Sequence, residues 1–256
     1  MKERKYFFKN SEGIRLCGVL TESENKTKTC IILCHGITVD KDEDGVFSSL
    51  AKKLCGVGFT VFRFDFRGHG ESGGKSVDLT VTGEERDLEA AVCFLKSQGY
   101  SKFGILAASF GGGAVSLFVS KNKIAKTLVF WNPLLKYSDW MNKKLKKSYF
   151  AKKKILKLED VDFVEIGSRK FRVGKNLFKE LKKLNTLQYL RKAGVPIFFI
   201  HGTRDSHVPY IDSVEYSKIL GAEILLIKGA EHGFHDSRKH AEEAENATID
   251  FFKKNL

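Results

Sequence analysis

Between Phe103 and Gly113 an apolar run passes through a single serine into three glycines, Phe-Gly-Ile-Leu-Ala-Ala-Ser-Phe-Gly-Gly-Gly. Phe103 to Ala107 has the short, unbroken apolar character of a strand buried on both faces, and Gly111 to Val119 has the small, apolar composition of a packed helix. Ser109 therefore stands at a sharp strand-to-helix bend. Such a bend accepts only small residues two positions either side of its tip; Ala107 and Gly111 meet that need, with alanine where the usual G-x-S-x-G pattern has glycine. The bend would hold the Ser109 hydroxyl above the carboxyl edge of a sheet, with the Phe110 N–H facing any oxyanion formed beside it. A serine that merely caps the following helix satisfies the same pattern, so the rest of the chain must decide.

On either side of this stretch, strands alternate with helices. Lys5 to Lys9 and Ile14 to Leu20 alternate apolar and polar residues around Asn10-Ser11-Glu12-Gly13, which predicts an antiparallel hairpin at a sheet edge. Thr29 to Cys34, Phe59 to Phe64, Lys126 to Trp131, Pro196 to Ile200 and Glu223 to Ile227 read as strands. Helices are expected over Val46 to Cys55, Thr82 to Gln98, Leu177 to Leu190, Ile211 to Leu220 and Ala241 to Lys254. This alternation implies a mostly parallel sheet covered on both faces. It is interrupted only between Asn132 and Lys192, where Asp162 to Ile166 and Lys170 to Val173 alternate around Gly167-Ser168-Arg169 as a small hairpin. We expect an α/β core formed by residues 1–131 and 193–256, with residues 132–192 inserted as a lid.

Charge is concentrated in that insertion. The chain carries a net +13, and residues 132–192 hold 18 Lys and Arg against 6 Asp and Glu, leaving the remainder almost balanced. A balanced body with one basic insertion points to a local feature and away from nucleic acid. Five scattered cysteines without C-x-x-C spacing fit reduced core thiols, not a disulfide framework or a zinc site. The start at Met1 shows no apolar stretch of signal-peptide length, and no run approaches a membrane span. A cytoplasmic protein without metal or other cofactor is expected. Nothing in the sequence sets an oligomeric state.

Two further loops leave the carboxyl ends of strands: His201-Gly202-Thr203-Arg204-Asp205-Ser206-His207-Val208-Pro209, and Gly229-Ala230-Glu231-His232-Gly233-Phe234. That edge is where an open parallel sheet places its site, and the order Ser, Asp, His suits this architecture. Serine is a poor nucleophile at its free pKa. His232 would take the Ser109 proton, and Asp205 would hold the imidazole in the right tautomer and stabilise it when charged. The loop His35-Gly36-Ile37 offers the Ile37 N–H as a second oxyanion donor beside that of Phe110.

With these residues in place the chain resembles the α/β-hydrolase family along essentially its whole length. The resemblance is carried by the His35-Gly36 loop, the loop Asp65-Phe66-Arg67-Gly68-His69-Gly70-Glu71-Ser72, the Ser109 bend, Gly202-Thr203-Arg204-Asp205 with Val208-Pro209, and Glu231-His232-Gly233. Within the family it is most similar to cinnamoyl or feruloyl esterases, with monoacylglycerol lipases and serine peptidases as relatives; the insertion sits where those esterases carry a lid. The resemblance implies a serine carboxylic ester hydrolase working through an acyl-enzyme on aryl, hydroxycinnamoyl or short-chain esters, small or polymer-linked. An aminopeptidase-type amide hydrolase shares the same triad. A non-catalytic protein binding anionic surfaces through its lid is the reading from a different class. His235, next to Asp236, is the rival base but reads as a surface residue; His35, His69 and His201, each beside or near glycine in tight turns, read as hydrogen-bonded structural groups. Trp131, Trp140, Phe163 and Phe171 are candidates for an aromatic acyl pocket, and equally for core packing or lid anchoring.

The lysine clusters of the insertion make one test possible from sequence alone. Charge near the mouth of a site acts on encounter, and it weakens as salt shortens the screening length from ~30 Å at 0.01 M to ~10 Å at 0.1 M. Replacing Lys143, Lys144, Lys146 and Lys147 with glutamine is expected to lower kcat/KM for an anionic ester, to spare a neutral ester of similar size, and to flatten the salt dependence. Equal effects on both esters would reduce the charge to a matter of solubility.

Overall fold

Short runs of β-branched and aromatic residues become the eight strands of one twisted sheet in the computed structural model, which describes residues 1–24, 27–141 and 162–256. The strands are β1 (Lys2–Lys9), β2 (Arg15–Glu22), β3 (Thr29–Cys34), β4 (Thr60–Phe64), β5 (Lys102–Ala108), β6 (Ala125–Trp131), β9 (Ile197–Gly202) and β10 (Glu223–Ile227), in the spatial order β1-β2-β4-β3-β5-β6-β9-β10. The expected hairpin β1–β2 lies at one edge and pairs antiparallel with β4; the other neighbours are parallel. Helices α1 (Val46–Gly56) and α8 (Arg238–Asn255) cover one face, and α2 (Val81–Ser97), α3 (Gly111–Lys121) and α6 (Thr186–Arg191) the other. This is the α/β-hydrolase fold. Among the described residues no helix is long and apolar enough to cross a membrane.

Alternation along the central strands sorts the core into two layers. On β5, Phe103, Ile105 and Ala107 join the cluster under α2 and α3, while Leu106 and Ala108 join Phe47, Leu50, Phe251 and Phe252 under α1 and α8. The chain leaves β3 toward β4 and returns to β5 on the opposite side of β3, with Cys34 beside Ala107 in the register. The crevice of an open sheet lies where its strand order reverses in this way. The loops after β3 and β5 therefore meet at one point.

Between β6 and β9 the described chain forms a short helix α4 (Tyr137–Trp140), the antiparallel hairpin β7 (Phe163–Ile166) and β8 (Phe171–Gly174), then α5 (Lys175–Leu181), α6 and β9; α7 (Tyr210–Leu220) follows β9. Its inward residues Val164, Val173, Leu177, Phe178 and Leu181 form a third cluster with Leu79, Val81, Phe110, Leu134 and Tyr137. The hairpin forms at its expected residues. The single helix expected over Leu177 to Leu190 does not: it is broken into α5 and α6, because the Asn185 side chain accepts the Gln188 N–H at 3.0 Å and starts a new helix. Lys143, Lys144, Lys146, Lys147 and Lys152 to Lys154 lie outside the described residues.

Gly104 tests this packing. A Cβ on it would stand 2.7 Å from the Leu256 side chain and 2.8 Å from that of Phe252, the residues by which α8 closes on β5. Gly104→Val is expected to overpack the interface at a cost of about 1–3 kcal/mol, lowering Tm by roughly 2–12 °C. An unchanged melting curve would mean that α8 does not close on β5 in this register.

Candidate active site

The Ser109 backbone sits at a φ of 49°, a left-handed conformation that a non-glycine residue rarely adopts. Its surroundings fix it there. The Ser109 N–H donates to the Trp131 carbonyl at 2.9 Å, and its own carbonyl accepts the Leu134 N–H at 2.9 Å and the Gly112 N–H at 3.2 Å. Gly111 is obligatory, since a Cβ there would lie 2.5 Å from the His35 carbonyl oxygen. Alanine at 107 is accommodated within the core layer under α3. The bend carries the hydroxyl to the carboxyl edge of the sheet.

Three loops converge on that hydroxyl. His232 Nε2 lies 2.9 Å from Ser109 Oγ, and His232 Nδ1 lies 2.7 Å from Asp205 Oδ2. Asp205 Oδ1 accepts the backbone N–H groups of His207 and Val208, each at 2.8 Å, while Oδ2 also faces His201 Nε2 at 3.2 Å. Burial works against the Asp205 charge, but the imidazole N–H groups of His201 and His232, the positive potential of His232 and the Val208 N–H outweigh it and hold the carboxyl well below the usual carboxylate range. Because Oδ2 accepts at Nδ1, His232 presents Nε2 to the serine as an acceptor, the arrangement a general base needs.

Ile37 and Phe110 border the same cavity as Ser109, and neither backbone N–H has a hydrogen-bond partner among the described residues. The loop bearing Ile37 is held from two sides. His35 Nδ1 donates to the Gly36 carbonyl at 2.7 Å and its Nε2 accepts the Phe66 N–H at 3.0 Å; burial lowers this histidine to about 4, so it stays neutral. Glu43 Oε2 accepts the Gly36 N–H at 2.8 Å. Glu43 is buried, has a φ of 47°, and borders the same cavity. Burial pushes its carboxyl up to about 7, against the pull of the Gly36 N–H and of His232.

The cavity measures about 330 Å³ and is walled by Ile37, Val39, Phe110, Leu134, Trp140, Ile166 and Val208, with Ser109, His232, His207 and His235 at its polar end. Of the four aromatic residues expected to line it, Trp140 does. Trp131 does not: it shares the parity of Val129 on β6, so its ring points to the α8 side of the sheet and its Nε1–H donates to Thr248 Oγ1 at 2.8 Å. Phe163 is on the outer face of the hairpin, under the Arg172 guanidinium. Phe171 stacks on His69 at 4.5 Å, outside the cavity. His235 is exposed at the cavity mouth. Leu134, Ile166 and Val208, which take the place of the aromatic residues, carry no sequence signal that distinguishes them from core.

Metal-ligating side chains come together in one place among the described residues: Asp205, His207 and His232, whose ligand atoms lie within 4.8 Å of one another. The two Asp205 oxygens already accept four N–H groups, which fills the positions an ion would need. The hydrogen-bond chain can pass a proton from Ser109 to His232.

Residues 25–158 match the family described as serine aminopeptidase, S33. An uncharacterized protein of Bacillus subtilis, YqkD, is 28% identical over 217 residues, which cover 82% of this chain and 65% of that protein; the chain thus spans just under two thirds of this relative's length. Among solved structures, Est1E from Butyrivibrio proteoclasticus with ferulic acid bound superimposes with a TM-score of 0.85 at 22% identity, covering 98% of each chain. The Pyrococcus furiosus esterase Pf2001 does so with a TM-score of 0.75 at 23% identity, covering all of this chain and 93% of its own.

The Glu43 carboxyl generates a pH test. In the fold it binds its proton more tightly than at its ordinary value of 4.5, so its contribution to stability is complete below that value and is lost as the pH rises toward about 7. Glu43→Gln removes the titration. The variant is expected to gain roughly 1–3 kcal/mol on wild type between about pH 5 and about pH 8 by chemical denaturation. A difference between the two proteins that is the same at both pH values would contradict the assignment.

Proposed function

The chain belongs to the serine aminopeptidase S33 family, and from that premise we propose that it is a serine hydrolase that cleaves carboxylic esters through an acyl-enzyme. Ser109 is the nucleophile, His232 the general base and then acid, and Asp205 the carboxylate that orients His232. The observation that carries the reading is the continuous hydrogen-bond chain from Ser109 through His232 to Asp205, beside a cavity bordered by Ile37 and Phe110, whose backbone N–H groups have no partner among the described residues. Ser109 Oγ adds to the ester carbonyl carbon as its proton passes to His232 Nε2, and the carbonyl oxygen becomes an anion held by the Ile37 and Phe110 N–H groups. One such donor is worth roughly 3–4 kcal/mol in the transition state. Collapse breaks the carbon–oxygen bond to the alcohol, which leaves with the proton from His232. Water, deprotonated by His232, then adds to the acyl-enzyme and releases the carboxylic acid and free Ser109.

For the substrate we propose a hydroxycinnamoyl-type or other aryl acyl group. The apolar walls of the cavity, its size of about 330 Å³ and the Trp140 ring suit a flat acyl chain, and a structure of this fold holds ferulic acid. The β7–β8 hairpin, which contributes Ile166 and Gly167 to the cavity, would act as its lid. The positive charge between residues 132 and 192 favours an anionic or polymer-linked ester. The aminopeptidase reading keeps a specific support in the family's own description.

Two measurements test this. Ser109→Ala is expected to lower kcat at least ~10⁴-fold with an unchanged circular dichroism spectrum, and a serine-directed phosphonate should add its mass at Ser109. Full turnover in that variant, or labelling elsewhere, would overturn the mechanism. In a panel of methyl hydroxycinnamates, short and long alkyl esters and aminoacyl amides, the hydroxycinnamates should give the highest kcat/KM; fastest cleavage of the amides would move the assignment to a peptidase.

A further inference from the structure

Asp205 is gripped from both sides by an imidazole. Its Oδ2 accepts from His232 at 2.7 Å and faces His201 Nε2 at 3.2 Å. His201 lies on β9, and its Nδ1 meets Ser213 Oγ of α7 at 2.8 Å. The side chains of His201, Asp205 and Ser213 are all fully buried. The hydrogen-bond chain therefore reads Ser109, His232, Asp205, His201, Ser213. It has a serine at each end, but only Ser109 borders the cavity.

Tautomers in this chain follow from the partners. His201 Nε2 faces a carboxylate oxygen and, at 3.2 Å, the Val208 carbonyl; both are acceptors, so Nε2 carries the proton. Nδ1 of the neutral ring then accepts the Ser213 hydroxyl proton, which polarises the ring and strengthens the Nε2–H as a donor. With the His207 and Val208 N–H groups on Oδ1, the carboxylate has four donors and no freedom to turn.

We propose that His201 is a positioning residue for the reaction: by occupying part of Asp205 Oδ2 it fixes the carboxylate toward His232 and limits how strongly that oxygen attracts the His232 proton. The proposal rests on the triad reading above. Without the His201 N–H, Oδ2 would direct more of its charge to His232, whose protonated form would persist to higher pH, and the carboxylate would be held by three donors in place of four. Groups facing His232 besides Asp205 are Ser109, the His207 ring at 5.1 Å, and the Glu43 and His235 side chains through their charge. All of them are the same in the variants below, so a change can be traced to His201.

The test is the pH dependence of the rate at which a phosphonate labels Ser109, followed by intact mass, alongside thermal melting. It needs no knowledge of the natural ester. His201→Leu removes the donor; His201→Gln places an amide N–H where Nε2 stood; Ser213→Ala removes only the polarising hydroxyl. We expect His201→Leu to slow labelling about 10-fold and to move its acid limb up by about 0.5 pH unit, Ser213→Ala to move the limb in the same direction by less, and His201→Gln to recover most of the rate with the limb in place. If His201→Leu fails to fold, the contrast between Ser213→Ala and His201→Gln decides. An acid limb that does not move in any folded variant, with rates that track only the folded fraction, would overturn the proposal while leaving the triad standing. Absence of Ser109 labelling in the wild-type protein would overturn the triad reading itself.

Discussion

The left-handed backbone at Ser109 is the constraint on which the rest of the site depends. Such a conformation costs a non-glycine residue of order 1–3 kcal/mol and persists only where its surroundings over-determine it. Here hydrogen bonds from three directions and the contact of Gly111 with the His35 carbonyl do so. That contact also brings the β3 loop against the start of α3. It is the reason Ile37 and Phe110 border one cavity although they lie far apart in sequence. The sheet order makes this possible, because β3 and β5 are neighbours whose chain connections run in opposite directions.

The glycine-rich loop after β4 is held by buried charges that are paired. The Asp65 carboxylate accepts the Lys41 N–H at 2.7 Å and the Glu71 N–H at 2.9 Å, and pairs with the Lys41 ammonium at 3.1 Å. Asp87 receives the Arg67 guanidinium, the Arg67 N–H and the Asn10 amide. Removing one partner from such a set leaves an uncompensated charge away from water, a far larger penalty than the net worth of the pair. The glycine-rich loop after β4 is thus a rigid strut. It positions Phe66, whose N–H fixes His35 and through it the loop that carries Ile37.

Much of this was legible in the sequence because the informative residues are polar groups beside turn residues at the ends of apolar runs. Ser109, Asp205, His232 and Ile37 each follow a strand within a few residues, and a parallel sheet brings all its strand ends to one edge. The cavity was legible only in part. Trp140 borders it as expected, but Leu134, Ile166 and Val208 look like core, whereas two of the other aromatic candidates are directed elsewhere by strand parity: Trp131 falls in step with Val129, and Phe163 out of step with Val164. Parity is readable in a sequence, but which parity faces a cavity is set by what packs on each side. The break at Asn185 did carry a signal, an Asn four residues past Leu181, where α5 ends, and three before Gln188. Helical periodicity continuing through Leu190 masked it.

Glu43 left no trace in the sequence, since nothing sets its carboxyl apart from its neighbours in Asp40-Lys41-Asp42-Glu43-Asp44. Its contrast with Asp205 explains why two carboxyl groups can share one site. Asp205 accepts four N–H groups and remains an anion despite burial. Glu43 accepts one, from Gly36, and burial pushes its carboxyl up to about 7. Environment has pushed the two apart, which is how a site separates the tasks of groups with the same chemistry. A permanent second anion beside the Ile37 N–H would oppose a charge forming on the substrate oxygen. A carboxyl that accepts the Gly36 N–H in either protonation state keeps the loop in place, while the Asp205 carboxylate stays behind the His232 ring, which separates it from Ser109.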